Sequence, residues 1–213
     1  RSTLFPYTTL FRSASCHSAK NELYVQVGDG MIDHGHWYPP EYIDYDYPSY
    51  KIDASKPGSE VAAETASSLA AASILFKDID ESDSQTLAKH AVEIYDFADE
   101  YRGDYMRSVP GVTAFYQSYS GYLDELAFGA MWIYRLTGEE KYHEKFKAIA
   151  DAEYEEQDTK KYTGCTGPIS WDDKRPGAYM LAALVTKEEN RMEEAYTYCD
   201  EIISQPKTPG GLW

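Results

Sequence analysis

Apolar residues recur at helical spacing through most of this chain, in two alternating styles. Pro57-Gly58-Ser59 punctuates the start of a first helix over about 57–77, rich in alanine and apolar almost all round, as a helix buried on every side should be. The second, over about 84–101, is amphipathic: Leu87, Ala91, Ile94, Tyr95 and Ala98 share a face, and Gly103 is placed to end it. A nearly all-apolar third helix over 122–137 is closed by Gly138, and a fourth over 140–155 carries Tyr142, Phe146 and Ile149 on one face. The fifth is expected over 176–186 and the sixth over 189–204. No convincing strand pair interrupts them. A buried helix alternating with a half-exposed one, three times over, is what a ring of helical hairpins with an inner and an outer layer requires, so the fold class is all-α.

Composition narrows the partners. With 213 residues, 43% of them apolar and 15% aromatic, the chain has enough material for one real core and is too hydrophobic for disorder. A formal net charge of −16 repels nucleic acid and anionic membrane surfaces, sets no barrier against a neutral polymer and suits a cation. The 20 tyrosines supply flat rings with a polar tip. No apolar run reaches the roughly 20 residues of a membrane span, because Glu64, Thr65, Ser67, Ser68 and Ser73 break the one over 61–76. Cys16, Cys165 and Cys199 have no metal-binding spacing; Cys165 and Cys199 are free to pair in an oxidising compartment. Residues 1–13 read as a translated sequencing adapter and not as a targeting segment, since they have no continuous apolar stretch and no small-residue cleavage site. The fold is therefore expected over 14–213, and neither end need be a natural terminus.

Four stretches carry the chemistry. They are Val27-Gly-Asp-Gly-Met-Ile-Asp-His-Gly-His-Trp37, Asp53-Ala-Ser-Lys-Pro-Gly-Ser-Glu-Val-Ala-Ala-Glu-Thr65, Tyr116-Gln-Ser-Tyr-Ser-Gly-Tyr-Leu-Asp-Glu125 and Ser170-Trp-Asp-Asp-Lys174. In order and spacing they resemble glycoside hydrolase family 9, the inverting endoglucanases, over roughly 14–212. The resemblance implies an (α/α)6 barrel of six helical hairpins, of which this chain holds about three plus a long entry loop over 21–56. It implies a secreted protein acting on β-1,4-glucan, and a monomer.

Within the first stretch, Asp33-His34-Gly35-His36-Trp37 lies between glycines and prolines and reads as a loop. The resemblance implies that His34 hydrogen-bonds a sugar and Trp37 stacks on its apolar face, a division that suits a pyranose, whose flat C–H patch meets an indole while its hydroxyls need directed partners. His36 reads as solvent-facing. Tyr116 and Tyr119 are implied to line the glucan groove; Tyr119 stands where a tryptophan is more usual, which keeps a stacking surface one ring smaller, and two aromatic residues packed at a helix start is the plainer reading. Ser120, Gly121, Asp124, Glu125 and Asp172 resemble a structural calcium site, an all-oxygen set of the kind Ca²⁺ takes. Four negative charges, Asp124, Glu125, Asp172 and Asp173, would repel one another without a cation. Simple stabilisation of Asp124 and Glu125 by the helix macrodipole is the other reading.

None of these carboxylates is expected to be catalytic. Inverting hydrolysis needs two carboxyl groups about 6.5–9.5 Å apart across the scissile bond, and neighbours on a helix point about 100° apart from one backbone. By the resemblance, the base belongs to an Asp-Ala-Gly-Asp motif ahead of Asn21 and the acid is a late Glu. Neither occurs here, so the chain alone is expected to hydrolyse nothing. Other readings stay open: mixed-linkage glucan or xyloglucan as substrate, or a non-catalytic carbohydrate-binding or calcium-stabilised module. Two patterns are set aside. Arg102-Gly103-Asp104 sits at a helix end where glycine is an ordinary cap. His90 and Glu93 share a helix face at i, i+3, but with no second histidine at metal spacing they read as a solvated face.

Overall fold

The computed structural model describes residues 14, 16–150 and 167–207. In chain order these form strand β1 (Glu22–Val27), a short helix α1 (Gly30–Gly35), strand β2 (Ser49–Asp53), and helices α2 (Ser59–Phe76), α3 (Glu81–Glu100), α4 (Leu123–Thr137), α5 (Glu140–Ala150), α6 (Arg175–Thr186) and α7 (Glu189–Ser204). Single turns of 3-10 helix fall at Pro40–Tyr42, Tyr105–Arg107 and Val112–Ala114.

The six long helices arrange as three hairpins. α2 packs on its partner α3, α4 on α5 and α6 on α7, while α2, α4 and α6 also pack side by side. They form the inner layer of an arc and α3, α5 and α7 the outer one, which is part of an (α/α)6 barrel. Sequence explains the layering. α2 is buried over most of its circumference, chiefly through alanine and serine, so its neighbours can approach closely; the expectation of burial on every side is corrected, because Val61, Glu64, Ser68, Ala71 and Leu75 form a face left partly uncovered. The outer helices bury one stripe: on α3 it is Ser84, Leu87, Ala91, Ile94, Tyr95, Phe97 and Ala98. At Gly129 of α4 a β-carbon would lie 2.9 Å from Tyr95 Cδ2 and 3.4 Å from the Ala63 carbonyl oxygen, so this crossing of α2, α3 and α4 needs glycine. Tyr95 completes the joint by donating its hydroxyl to the Leu126 carbonyl at 3.1 Å.

Two helix ends follow the local chemistry expected of them and one does not. Asp80 caps α3 by accepting from Asp83 N–H at 3.0 Å, and Gly138 ends α4 in the left-handed region at φ 71°. Gly103 does not end α3, whose cap is Tyr101; its missing side chain instead makes room for Pro57. Arg102 is bonded to Asp99, and Asp104 accepts from Met106 N–H at 2.8 Å, so the Arg-Gly-Asp tripeptide is held within the fold. α5 is described to Ala150, so the expected extension to 155 lies outside the described residues, as do residues 1–13 and Cys165 with its proposed pairing.

Two expectations are corrected in the entry segment. β1 and β2 are antiparallel, running from Glu22↔Asp53 to Val27↔Ser49 with an irregularity between Tyr24 and Gln26. Only Leu23 and Ile52 of this ribbon are buried, so its period-two signal is weak, and the long connection between the strands contains no hairpin turn to announce them. The segment with Asp33 and His34 is not a loop but α1, capped by Asp29, whose Oδ1 accepts from Met31 N–H at 2.9 Å and Ile32 N–H at 3.3 Å. The ribbon anchors both ends of the excursion that carries α1 and Trp37.

Candidate substrate groove and cation site

Two clefts meet along one edge of the helical arc. One, of about 370 Å³, is lined by Glu60, Glu64, Tyr105, Tyr116, Glu125, Trp171 and Asp172 among others; the second, of about 460 Å³, by Gly30, Asp33, His34, Gly111 and Phe115. Gln26, Val112 and Tyr116 line both, so the two form one groove running from α1 to the N-terminal end of α4. The site therefore sits where the ribbon excursion, the connection between α3 and α4, and the residues before α6 converge.

His34 and Tyr116 lie in this groove. The His34 ring sits 4.4 Å from that of Phe115 and its Nδ1 is 2.8 Å from the Gly30 carbonyl oxygen, which leaves Nε2 for a ligand. Tyr116 meets Trp171 edge to face at 5.6 Å. Tyr119 and Trp37 line neither cleft. Tyr119 is anchored through its backbone N–H to Asp172 Oδ1 at 2.7 Å while its ring stands exposed. Trp37 is 100% exposed, an indole with no protein surface to rest on. His36 is exposed, with its Nδ1 2.8 Å from the Ile32 carbonyl oxygen. Phe115, Trp171 and Glu60 were not singled out from sequence. Trp171 and Glu60 had a signal, since each lies inside one of the four stretches that carry the resemblance; Phe115 had none beyond its neighbours.

Of the expected cation ligands, Ser120 and Asp172 meet directly, whereas Asp124, Glu125 and Asp172 do not each bring a carboxylate oxygen within 4.8 Å of the other two. Ser120 Oγ donates to the Asp172 backbone carbonyl, and Asp172 Oδ1 accepts from the backbone N–H of Tyr119 and Ser120. Gly121 adopts φ 85°, and Ser118 Oγ donates to its carbonyl at 3.0 Å. Asp124 and Glu125, opening α4, are 1% and 3% exposed. Asp124 Oδ2 accepts from Lys174 N–H at 2.7 Å, but Asp124 Oδ1 and Glu125 Oε2 are buried with no donor. The macrodipole of α4 offers no hydrogen bond to those oxygens; a hard cation would satisfy both, and so would a proton shared between the two carboxyls, which hydrogen-bond each other. Asp173 is paired with Arg175, yet its charge still raises the Asp124 carboxyl.

Burial sets the electrostatics. It pushes the Asp124 carboxyl up to about 6 and that of Glu125 well above the usual carboxylate range, the latter helped by the Asp124 charge. Glu60, on the first turn of α2, accepts from Tyr105 N–H at 3.0 Å through Oε2 while Oε1 is buried without a partner; burial raises its pKa to about 9. The folded state thus keeps a proton on Glu60 that an unfolded chain releases near 4.5. This stabilisation is complete below pH 4.5 and is lost as pH rises toward 9. Glu60→Gln, which copies the protonated form, is expected to flatten the decline of stability between pH 5 and 8 by up to about 1.4 kcal/mol per pH unit. Urea unfolding at three pH values checks this, and parallel declines in the two proteins would contradict it.

His90 and Glu93 are corrected as well. They are not a bare solvated face: His17, from the segment before β1, packs its Nδ1 2.8 Å from His90 Nδ1.

Comparison with known proteins adds the decisive observation: Glycosyl hydrolase family 9 matches residues 9–212. The chain belongs to this family. Endoglucanase B of Cellulomonas fimi is 44% identical over 204 residues, covering 92% of this chain and 19% of that protein. An endoglucanase from the termite Nasutitermes takasagoensis superposes with a TM-score of 0.83 at 36% identity, over 95% of this chain and 45% of the other. Endoglucanase CelQ of Clostridium thermocellum, complexed with cellotetraose, superposes with a TM-score of 0.74 at 27% identity, over 95% of this chain and 31% of that one. The chain thus spans less than half the length of these family 9 relatives.

Proposed function

We propose that this chain is part of a secreted, inverting endo-β-1,4-glucanase, in which it supplies glucan-binding subsites and a structural calcium site. The observation that carries the reading is the groove itself, where the aromatic rings of Phe115, Tyr116 and Trp171 and the hydrogen-bonding nitrogen of His34 line one continuous cleft. That pattern fits the two faces of a β-linked glucose unit. It agrees with the names of the relatives, endoglucanases, one of them bound to cellotetraose.

Within this reading His34 donates or accepts at a sugar hydroxyl, Trp37, Tyr116 and Tyr119 stack, and Ser120, Gly121, Asp124, Glu125 and Asp172 hold Ca²⁺. Calcium would fix the Tyr116–Ser120 turn against the segment before α6, because its ligands come from both. The catalytic acid and base lie in flanking segments of the whole protein, whose further hairpins would also cover Met180 and Leu184, exposed on α6. Among the described residues no helix is long and apolar enough to cross a membrane, and the enzyme is proposed to act as a monomer on extracellular glucan. The whole protein carrying this chain is expected to release products of α configuration from cello-oligosaccharides, as seen by proton NMR in the first minutes of reaction. Initial β products would contradict the inverting assignment.

A further inference from the structure

Away from the groove, three ligand-type side chains meet at the outer layer. His90 and Glu93 lie one turn apart on α3, and His17 reaches them from 73 residues earlier in the chain. His17 is buried, and its Nδ1 lies 2.8 Å from His90 Nδ1 and 3.9 Å from Glu93 Oε2. The two imidazoles stand at 83° with centroids 5.0 Å apart, so their Nδ1 atoms face each other instead of their ring planes stacking. One nitrogen from each histidine and one carboxylate oxygen all fall within 4.8 Å of one another.

We propose that His17, His90 and Glu93 form a site for a zinc-class divalent cation that ties the segment before β1 to α3. Zinc takes imidazole nitrogen at about 2.0–2.1 Å and carboxylate oxygen at about 2.0–2.2 Å in tetrahedral array, which places neighbouring ligand atoms roughly 3.3–3.5 Å apart. The observed 2.8 Å between the histidines and 3.9 Å from His17 to Glu93 bracket that separation, and the His90–Glu93 pair, within 4.8 Å, closes by a turn of the half-exposed Glu93 side chain. Two histidines and a glutamate leave a fourth position for water. The donor set is nitrogen-rich, which separates it from the all-oxygen calcium cluster and favours Zn²⁺ over Ca²⁺. Without a cation, one Nδ1 must carry the proton that the other accepts. Binding moves that proton to the Nε2 of the same ring, so both histidines ligate in their neutral form. Burial and the neighbouring His90 already lower the His17 pKa and favour that form. Lys89 lies 3.9 Å from Glu93 Oε1 as an exposed pair, leaving Oε2 on the His17 side.

The test is calorimetric titration of untagged chain with Zn²⁺ alone, in calcium-saturated buffer so that the carboxylate cluster is occupied. One Zn²⁺ per chain is expected, with affinity at least tenfold weaker in both His90→Gln and Glu93→Gln and unchanged in Asp200→Asn. Circular dichroism of each variant reports its fold; Glu93→Gln, a half-exposed change on α3, keeps the test decisive if His90→Gln unfolds. Absence of one-to-one binding, or parental affinity in either folded variant, would overturn the site and leave a pair of histidines sharing a proton.

Discussion

Removing calcium is expected to lower the melting temperature of this chain, and Asp124→Ala is expected to abolish that sensitivity. Asp124 Oδ1 and Glu125 Oε2 are buried without donors, and an unmet buried acceptor costs about 1–3 kcal/mol, more when charged. A cation bound only by the folded state at a hundred times its dissociation constant stabilises it by about 2.7 kcal/mol. For a domain of this size that corresponds to a shift of roughly 5–10 °C. Asp124→Ala also strands the Lys174 N–H that Asp124 Oδ2 accepts, so the variant should melt below the parent even in calcium. Scanning calorimetry with chelator, then with calcium restored, reads both effects. Equal melting with chelator and with calcium restored would leave helix-terminus electrostatics as the role of Asp124 and Glu125.

The second large effect is expected at Trp37. Loss of an aromatic platform from a ligand unit costs about 1–3 kcal/mol, a fall in affinity of roughly fivefold to a hundredfold or somewhat more. Because the indole is 100% exposed, Trp37→Ala removes no packing and stability should stay within about 0.5 kcal/mol of the parent. Affinity and stability therefore separate cleanly at this position. Tyr119→Ala should follow in the same direction with a smaller loss, since its ring is smaller and its backbone stays anchored to Asp172. Unchanged cello-oligosaccharide affinity in Trp37→Ala would remove Trp37 from the glucan-binding residues.

The helices were legible because their signals are local. Leu87, Ala91, Ile94 and Ala98 mark a buried stripe at short range, and Gly138 marks an end that needs a left-handed residue. The ribbon was not, because a strand pair joined across α1 is defined by a distant partner and only Leu23 and Ile52 enter the core. Composition alone could not separate the cation reading of Asp124 and Glu125 from the macrodipole one; the family resemblance named the ligands, and the orphaned oxygens supplied the physical argument. Glu60 lies in a stretch that carries the family resemblance, but its burial was not legible, since a single acid in an alanine-rich helix looks like its solvent edge and it is 5% exposed. His17 was invisible for a simpler reason: its contact with His90 spans 73 residues.

The central claim is that the groove from His34 to Trp171, extended by Trp37, is built for β-1,4-linked glucose. Its most direct test is a fluorescence titration of the chain with cellotetraose and, separately, with the α-1,4-linked maltotetraose. The account predicts a saturable change in tryptophan emission with cellotetraose alone, at least fivefold weaker in Trp37→Ala. No saturable change with cellotetraose, or equal affinity for the two sugars, would contradict it.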